Sequence, residues 1–246
     1  FNCDKEAYWK DKCVELGHNY LTQILGVDKN EVVYGEDVWS LPDFSSFGPC
    51  IEAYSKGCEL VNNVFTEFRA TGPTGDSFEP LDMKVIDVGW GFERLLWYYS
   101  GTNSVYDAVF PNELELLHKN SRIEVDKELF GKYSRLAASL DVDTVLNLKE
   151  EKQKIANGLG ISLEQMEKTI APLQASYAIA DHSRTLLFAL ADGAIPSNTA
   201  GGYNIRLLAR RCFNFLNEYN FTVDLQDLVA LQAKLLKPLF PELEES

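Results

Sequence analysis

The spacing of apolar positions changes period partway along the chain. Met83-Lys84-Val85-Ile86 alternates as a half-buried strand does, whereas Leu95-Leu96-Trp97-Tyr98 reads as the start of a helix. Upstream, residues 5–24 read as a helix, with Ala7, Tyr8, Val14, Leu21 and Ile24 among charges and Gly26 as its stop. From Glu31 to about Asp87 come short β-prone runs: Val32–Tyr34, Ile51–Tyr54, Leu60–Phe68 and Met83–Ile86. Gly, Pro, Asp and Ser clusters separate them, and Thr71–Asp76 is a strong turn signal. No helix is available between these runs for a parallel crossover, so the sheet is expected to be antiparallel.

Downstream the alternation vanishes. Residues 126–146, 163–192, 202–219 and 224–236 read as helices, several with apolar residues three and four apart. Asp224 is a candidate cap; Asp181 is either a cap or a residue inside a longer helix. Pro111, Gly131 and Gly158-Leu159-Gly160 punctuate the link. The expected class is α+β: an antiparallel sheet with flanking helices over 1–111, then an all-helical domain over 112–246. There is no internal repeat, coiled-coil seam or low-complexity tract.

Composition narrows the setting. With 246 residues, 46% apolar and 24% charged, the chain has an ordinary globular profile. No run is long enough to cross a bilayer, and Phe1–Lys5 lacks the basic and apolar regions of a signal peptide. An initiator Met is also missing, so a start inside a longer polypeptide is expected at least as much as processing. The five cysteines are odd in number with no Cys-x-x-Cys spacing, which points to reduced thiols and a cytoplasmic protein. The three histidines include no His-x-x-x-His, so no zinc site is expected. A net charge of −14 disfavours a sequence-blind polyanion binder, yet leaves room for a compact basic RNA site.

The junction Asp87-Val88-Gly89-Trp90-Gly91-Phe92-Glu93-Arg94 carries the most chemistry. Gly89 and Gly91 would let backbone approach a ligand closely, and Arg94 in the first helical turn suits a polyphosphate. This strand–Gly-x-Gly-x-Glu-Arg–helix string resembles motif 3 of the class II aminoacyl-tRNA synthetases. Further blocks resemble the archaeal alanyl-tRNA synthetase family in order and spacing: Glu36–Trp39, Gly48–Glu52, Glu59–Phe65 and Gly101–Phe110. Beyond them, Asp181–Arg184 and Asp192–Asn198, with Gly201-Gly202-Tyr203, Arg206 and Arg210-Arg211, resemble the family's tRNA-recognition region. One segment departs: Ser40–Phe47 replaces a glycine-rich stretch, which leaves the shape of that loop open.

The resemblance implies residue roles. Arg94 would hold the terminal phosphate of ATP and be the catalytic residue, with Gly91 and Glu59 completing the ATP site and Glu59 a candidate Mg2+ ligand. Asp87 would meet the ammonium of alanine beside Gly89; Trp39 would wall the pocket and Asn62 help hold the substrate. Each has a plain alternative: a helix cap for Asp87, core packing for Trp39, an exposed strand glutamate for Glu59. A one-residue slip would exchange Asn62 for Asn63, since neighbours on a strand face opposite sides. In the last region Asn198 would read the G·U pair of the tRNA(Ala) acceptor stem, with Arg206, Arg210 and Arg211 toward phosphate. On an apolar stripe of Ile205, Leu208, Cys212, Phe215 and Tyr219, those arginines could equally be a solvated face paired with acids. Motifs 1 and 2 of the class do not occur. The expected whole is therefore part of an alanine–tRNA ligase using ATP, Mg2+, alanine and tRNA, inactive alone, with a second chain as one source of those motifs and no membrane partner. The alternative is a non-catalytic binder of the acceptor stem.

Overall fold

A computed structural model describes residues 2–3, 8–72, 77–119, 121, 123, 125–137 and 147–244. Residues 5–7 of the expected first helix, 73–76 of the expected turn, 138–146 of the expected helix from 126, and the last two residues lie outside these. The chain divides into two compact units, Phe1–Ser100 and Gly101–Ser246. The boundary expected near residue 111 falls inside the second unit, where Pro111 opens a helix.

The first unit is a five-stranded antiparallel sheet of order β1-β5-β4-β3-β2, from β1 (Asn2–Cys3), β2 (Val32–Ser40), β3 (Phe47–Ser55), β4 (Cys58–Ala70) and β5 (Phe78–Trp90). One face packs on α1 (Lys10–Asn19) through Cys13, Trp9 and Val14 against Phe65, Ile86 and Ile51. Among the described residues the helix starts at Lys10, after an extended Trp9 that meets the Phe65 ring edge-on at 5.5 Å. It ends in a π-helical turn, Tyr20–Ile24, and Gly26 at φ +71° lets the chain leave. A bulge forms near Gly48, where a Cβ would lie 1.8 Å from the Phe65 carbonyl oxygen; no other residue fits there. The divergent loop after β2 is tied down by aromatics, with Phe47 contacting Phe44, Phe68 and Phe78. β5 leads through Gly91 into α2 (Phe92–Ser100), whose Leu95 and Tyr98 pack beside Leu60 and Val61.

The second unit is helical: α3 (Val105–Val109), α4 (Pro111–Lys119), α5 (Lys127–Ala137), α6 (Leu148–Leu159), α7 (Leu163–Ala191), α8 (Ala200–Glu218) and α9 (Leu225–Leu236). The 29-residue α7 is its axis and buries Ile170, Leu173, Tyr177, Ile179 and Ala180. Ser162 starts it by accepting a hydrogen bond from the Gln165 amide. Asp181 therefore lies inside a helix and caps nothing. The punctuation at 158–160 is the end of α6, with Gly160 at φ +71°.

Candidate functional site

Strand register sorts the polar residues of the first unit onto two faces. In β4, Asn63 points toward α1: it is buried, donates to the Ile51 carbonyl at 3.1 Å and lies 3.6 Å from Cys13 Sγ. Its neighbour Asn62 points to the opposite face, where register pairs it with Glu52 on one side and Gly89 on the other. The next row is Asp37–Cys50–Val64–Asp87, and beyond it Trp39 pairs with Gly48. Asp87 is exposed three residues inside β5, so it caps no helix.

These side chains are wired together. Asn62 Nδ2 donates to Glu52 at 3.1 Å, and the Tyr54 hydroxyl donates to the same carboxylate. A carboxylate only accepts, so this contact fixes the amide: Nδ2 faces Glu52 and Oδ1 faces away. That Oδ1 is buried and has no hydrogen-bond partner among the described residues. The Tyr54 hydroxyl is pushed up to about 12, first by its bond to Glu52 and then by burial and the nearby negative charges. Burial raises the Cys50 thiol, with Glu52 and Asp37 adding to it. The face is therefore electronegative around Asn62.

Positive charge enters at the strand end. Arg94 Nη1 donates to Glu59 Oε2 at 2.8 Å, in a half-exposed pair worth about 1 kcal/mol or less. Gly91 permits this: a Cβ there would sit 2.5 Å from Arg94 Nε. The two glycines thus have different roles. Gly91 clears the arginine's path, whereas above Gly89 a Cβ would meet nothing closer than the Asn62 carbonyl at 4.0 Å, so space is left open. Gly89 is also not a turn residue, since β5 runs on to Trp90. From Asp87 to Gly91 is four strand residues, about 13 Å. A larger hollow of about 970 Å³ opens between α1 and β2, and of this face it touches only Asp37 and Cys50.

In the second unit, the loop joining α7 to α8 folds back on the first turn of α8. The Ser197 amide donates to the Gly202 carbonyl at 3.0 Å, and the Ser197 hydroxyl donates to the Thr199 carbonyl at 3.0 Å. Any Cβ on Gly202 would meet Ser197 Oγ at 2.3 Å and the Ile195 carbonyl at 2.7 Å. Ala200 is held at φ +48°, a left-handed conformation costing about 1–2 kcal/mol outside glycine. Asn198 sits exposed on this loop and accepts a hydrogen bond from Arg206 Nη1. Arg206, Arg210 and Arg211 are exposed, and none is ion-paired with an acid among the described residues. The stripe beneath them is buried or half-buried as expected, with Leu216 added.

A family model described as "tRNA synthetases class II (A)" matches residues 1–246. The chain belongs to this family. It is 42% identical to an alanine–tRNA ligase of Nitrosopumilus maritimus over 98% of its own length and 26% of that protein's. A Cenarchaeum symbiosum alanine–tRNA ligase is 42% identical over 97% of the chain and 26% of the relative. One from Pyrococcus abyssi is 36% identical over 98% and 27%. The chain thus spans about a quarter of the length of these curated relatives. The resemblance to archaeal alanyl-tRNA synthetases and the α+β class are both borne out.

For this class II synthetase chain, the structure collects Trp39, Asn62, Asp87 and Gly89 on one sheet face, with Glu59, Gly91 and Arg94 at its end. Glu52 and Tyr54 share that face; sequence reading assigned them no role. The signal for Glu52 was available only through register, because a bulge separates Ala53 from Tyr54 and shifts the later pairs. In the second unit, Arg184 of the Asp181–Arg184 block is structural. It holds the buried Glu113 at 2.9 Å and lies over the Phe110 ring at 4.2 Å. Among the described residues no cluster of three or more His, Cys, Asp or Glu could hold a metal, and no helix is long and apolar enough to cross a membrane.

Proposed function

We propose that this chain supplies the alanine site, the terminal-phosphate site and an acceptor-stem contact of an ATP-dependent alanine–tRNA ligase. In the reaction, the alanine carboxylate attacks the α-phosphorus of ATP and pyrophosphate leaves. The terminal ribose hydroxyl of tRNA(Ala) then attacks the alanyl carbonyl and AMP leaves. The observation that carries this reading is the buried, unpartnered Asn62 Oδ1 on an electronegative face. It is an acceptor suited to an ammonium donor, with the Asp87 carboxylate one row away and no Cβ at Gly89 to fill the space. Trp39, two rows from Asn62, is the pocket wall.

Arg94 offers its fork to phosphate oxygens, spreading the charge that develops as pyrophosphate leaves. Mg2+ fits the carboxylate at the phosphate end: Glu59 is a hard oxygen donor, and Mg2+ is ordinarily held by one or two carboxylates plus phosphate. When bound it would supply charge neutralisation. Positioning is the remainder of the chemistry.

On the second unit, Asn198 reads the G·U pair, with Arg210 and Arg211 on phosphate. The two units are thus the second half of an aminoacylation domain and the first part of a tRNA-recognition domain. Among the described residues nothing on the sheet face replaces an α-phosphate arginine, so the 246 residues alone are expected not to exchange pyrophosphate into ATP. A polypeptide bearing motifs 1 and 2, added in trans, should restore exchange. A binding-only role draws on Arg210 and Arg211 of α8, which have no acidic partner among the described residues. Calorimetry with a non-hydrolysable alanyl-adenylate analogue separates the two: binding that disappears in Asp87→Ala supports the ligase site. A chain that ignores the analogue but holds an acceptor-stem hairpin supports the binding role.

A further inference from the structure

We infer that Arg206 is a positioning residue for Asn198 rather than a phosphate contact. This rests on the reading that Asn198 meets a base edge. Three observations converge on it. The loop carrying Asn198 is clamped by Ser197 to the first turn of α8, in a space that only Gly202 leaves open. Ala200 keeps a left-handed backbone two residues after Asn198, a strained geometry that persists only when its surroundings impose it. Arg206 stands one helical turn beyond Gly202, and its Nη1 donates to Asn198 Oδ1.

That last contact selects one of two orientations of the amide. A guanidinium only donates, so the oxygen of Asn198 must face Arg206 and both Nδ2 hydrogens are turned the other way. Without Arg206 the amide can rotate by half a turn, which exchanges donor for acceptor at the same surface point. A base reader that flips in this way loses discrimination without losing contact area. Arg206 therefore fixes Asn198 as a donor, matched to acceptor atoms on a base edge in the shallow groove of an A-form stem. Arg210 and Arg211, which engage no side chain in this way among the described residues, remain for the phosphates.

The test uses the 246-residue chain and two synthetic acceptor-stem hairpins, one with G·U and one with G·C. Fluorescence anisotropy at two salt concentrations gives the affinity ratio and the salt slope. The parent chain should prefer G·U, and Asn198→Ala should erase most of that preference. A parent without preference, or an Asn198→Ala variant that keeps all of it, overturns the base-reading role itself. Given that role, Arg206→Ala should cut the ratio about fivefold or more with an unchanged melting temperature. The double variant should fall no further than Asn198→Ala alone, because the two residues act as one unit. An Arg206→Ala chain that keeps its ratio, while its salt slope drops by about one, overturns the inference and makes Arg206 a phosphate ligand. Additive losses in the double variant overturn it as well.

Discussion

The sheet face of the first unit and the α8 face of the second hold their polar side chains by opposite means. On the sheet, charges meet charges or hydrogen-bond partners already present: Tyr54 and Asn62 on Glu52, Arg94 on Glu59. Around Asn198 the backbone docks the loop and Arg206 orients the amide, while Arg210 and Arg211 have no acidic partner among the described residues. A ligand on the sheet must exchange partners at Glu59 and Arg94 and satisfy the vacant Asn62 Oδ1, which penalises anything that cannot match both. In the proposed reading, a ligand at α8 meets two arginines, Arg210 and Arg211, without acidic partners among the described residues, so attraction there is broad and Asn198 supplies the discrimination. In that reading, one surface chooses a small molecule and the other grips a polyanion at one marked position.

The difference is most sharply broken at Asp87. In the ligase reading, Asp87→Ala should weaken alanyl-adenylate binding by about thirtyfold to several thousandfold, since losing a charge-assisted contact while its partner stays buried costs about 2–5 kcal/mol. Arg94→Ala should instead act on ATP, because Arg94 sits in α2 paired with Glu59 at the strand end, whereas Asp87 lies one row beyond Asn62 on the sheet face. Calorimetric titration with alanine analogue and ATP, each on both variants, checks this. Equal losses for both ligands in both variants would show a folding defect and leave the division of roles without support.

Gly202 gives the next largest effect, confined to the other unit. Its missing Cβ is what lets the loop rest on α8, and Gly202→Ala would drive a carbon to 2.7 Å from the Ile195 carbonyl. Overpacking of this kind costs about 1–3 kcal/mol. The loop should detach, and the G·U over G·C preference should fall several-fold while adenylate-analogue affinity stays at the parent value. Unchanged hairpin preference would mean that the loop's docking does not serve Asn198.

How far the sequence foretold this molecule depended on period and register. The four long strands and α2 were legible from alternation and the glycine junction, and α7, α8 and α9 from their apolar spacing. Helices α3, α4 and α6 were not expected. The first is five residues long and α4 only nine, with a buried glutamate on its apolar side, and the first two turns of α6 after Leu148 are all lysine, glutamate and glutamine, so each apolar stripe is too short to stand out. Asn62 and Asn63 were interchangeable by spacing until pairing with Glu52 and Gly89 placed Asn62 on the open face. Glu52 itself could not be singled out, because its place depends on a partner ten residues away in the next strand. The contact between Arg206 and Asn198 spans a loop and a helix turn, which no periodic pattern encodes.

Arg210 offers the smallest effect and the finest test of the contrast. It is exposed on α8 and free of acidic partners among the described residues, so replacing it removes no internal interaction of the protein. Arg210→Ala should leave the melting temperature within about 0.5 kcal/mol equivalent of the parent. Hairpin binding should weaken by the same factor, a few-fold at low salt, for G·U and G·C alike, because a phosphate is present in both. The slope of log affinity against log salt should fall by slightly less than one, the value for one neutralised phosphate. By contrast, the Glu59 and Arg94 pair already neutralises its own charge, so adenylate-analogue binding should show a shallower salt dependence than hairpin binding. A steep salt dependence on the sheet face, or an Arg210→Ala variant that shifts the G·U to G·C ratio, would erase the division between a choosing surface and a gripping one.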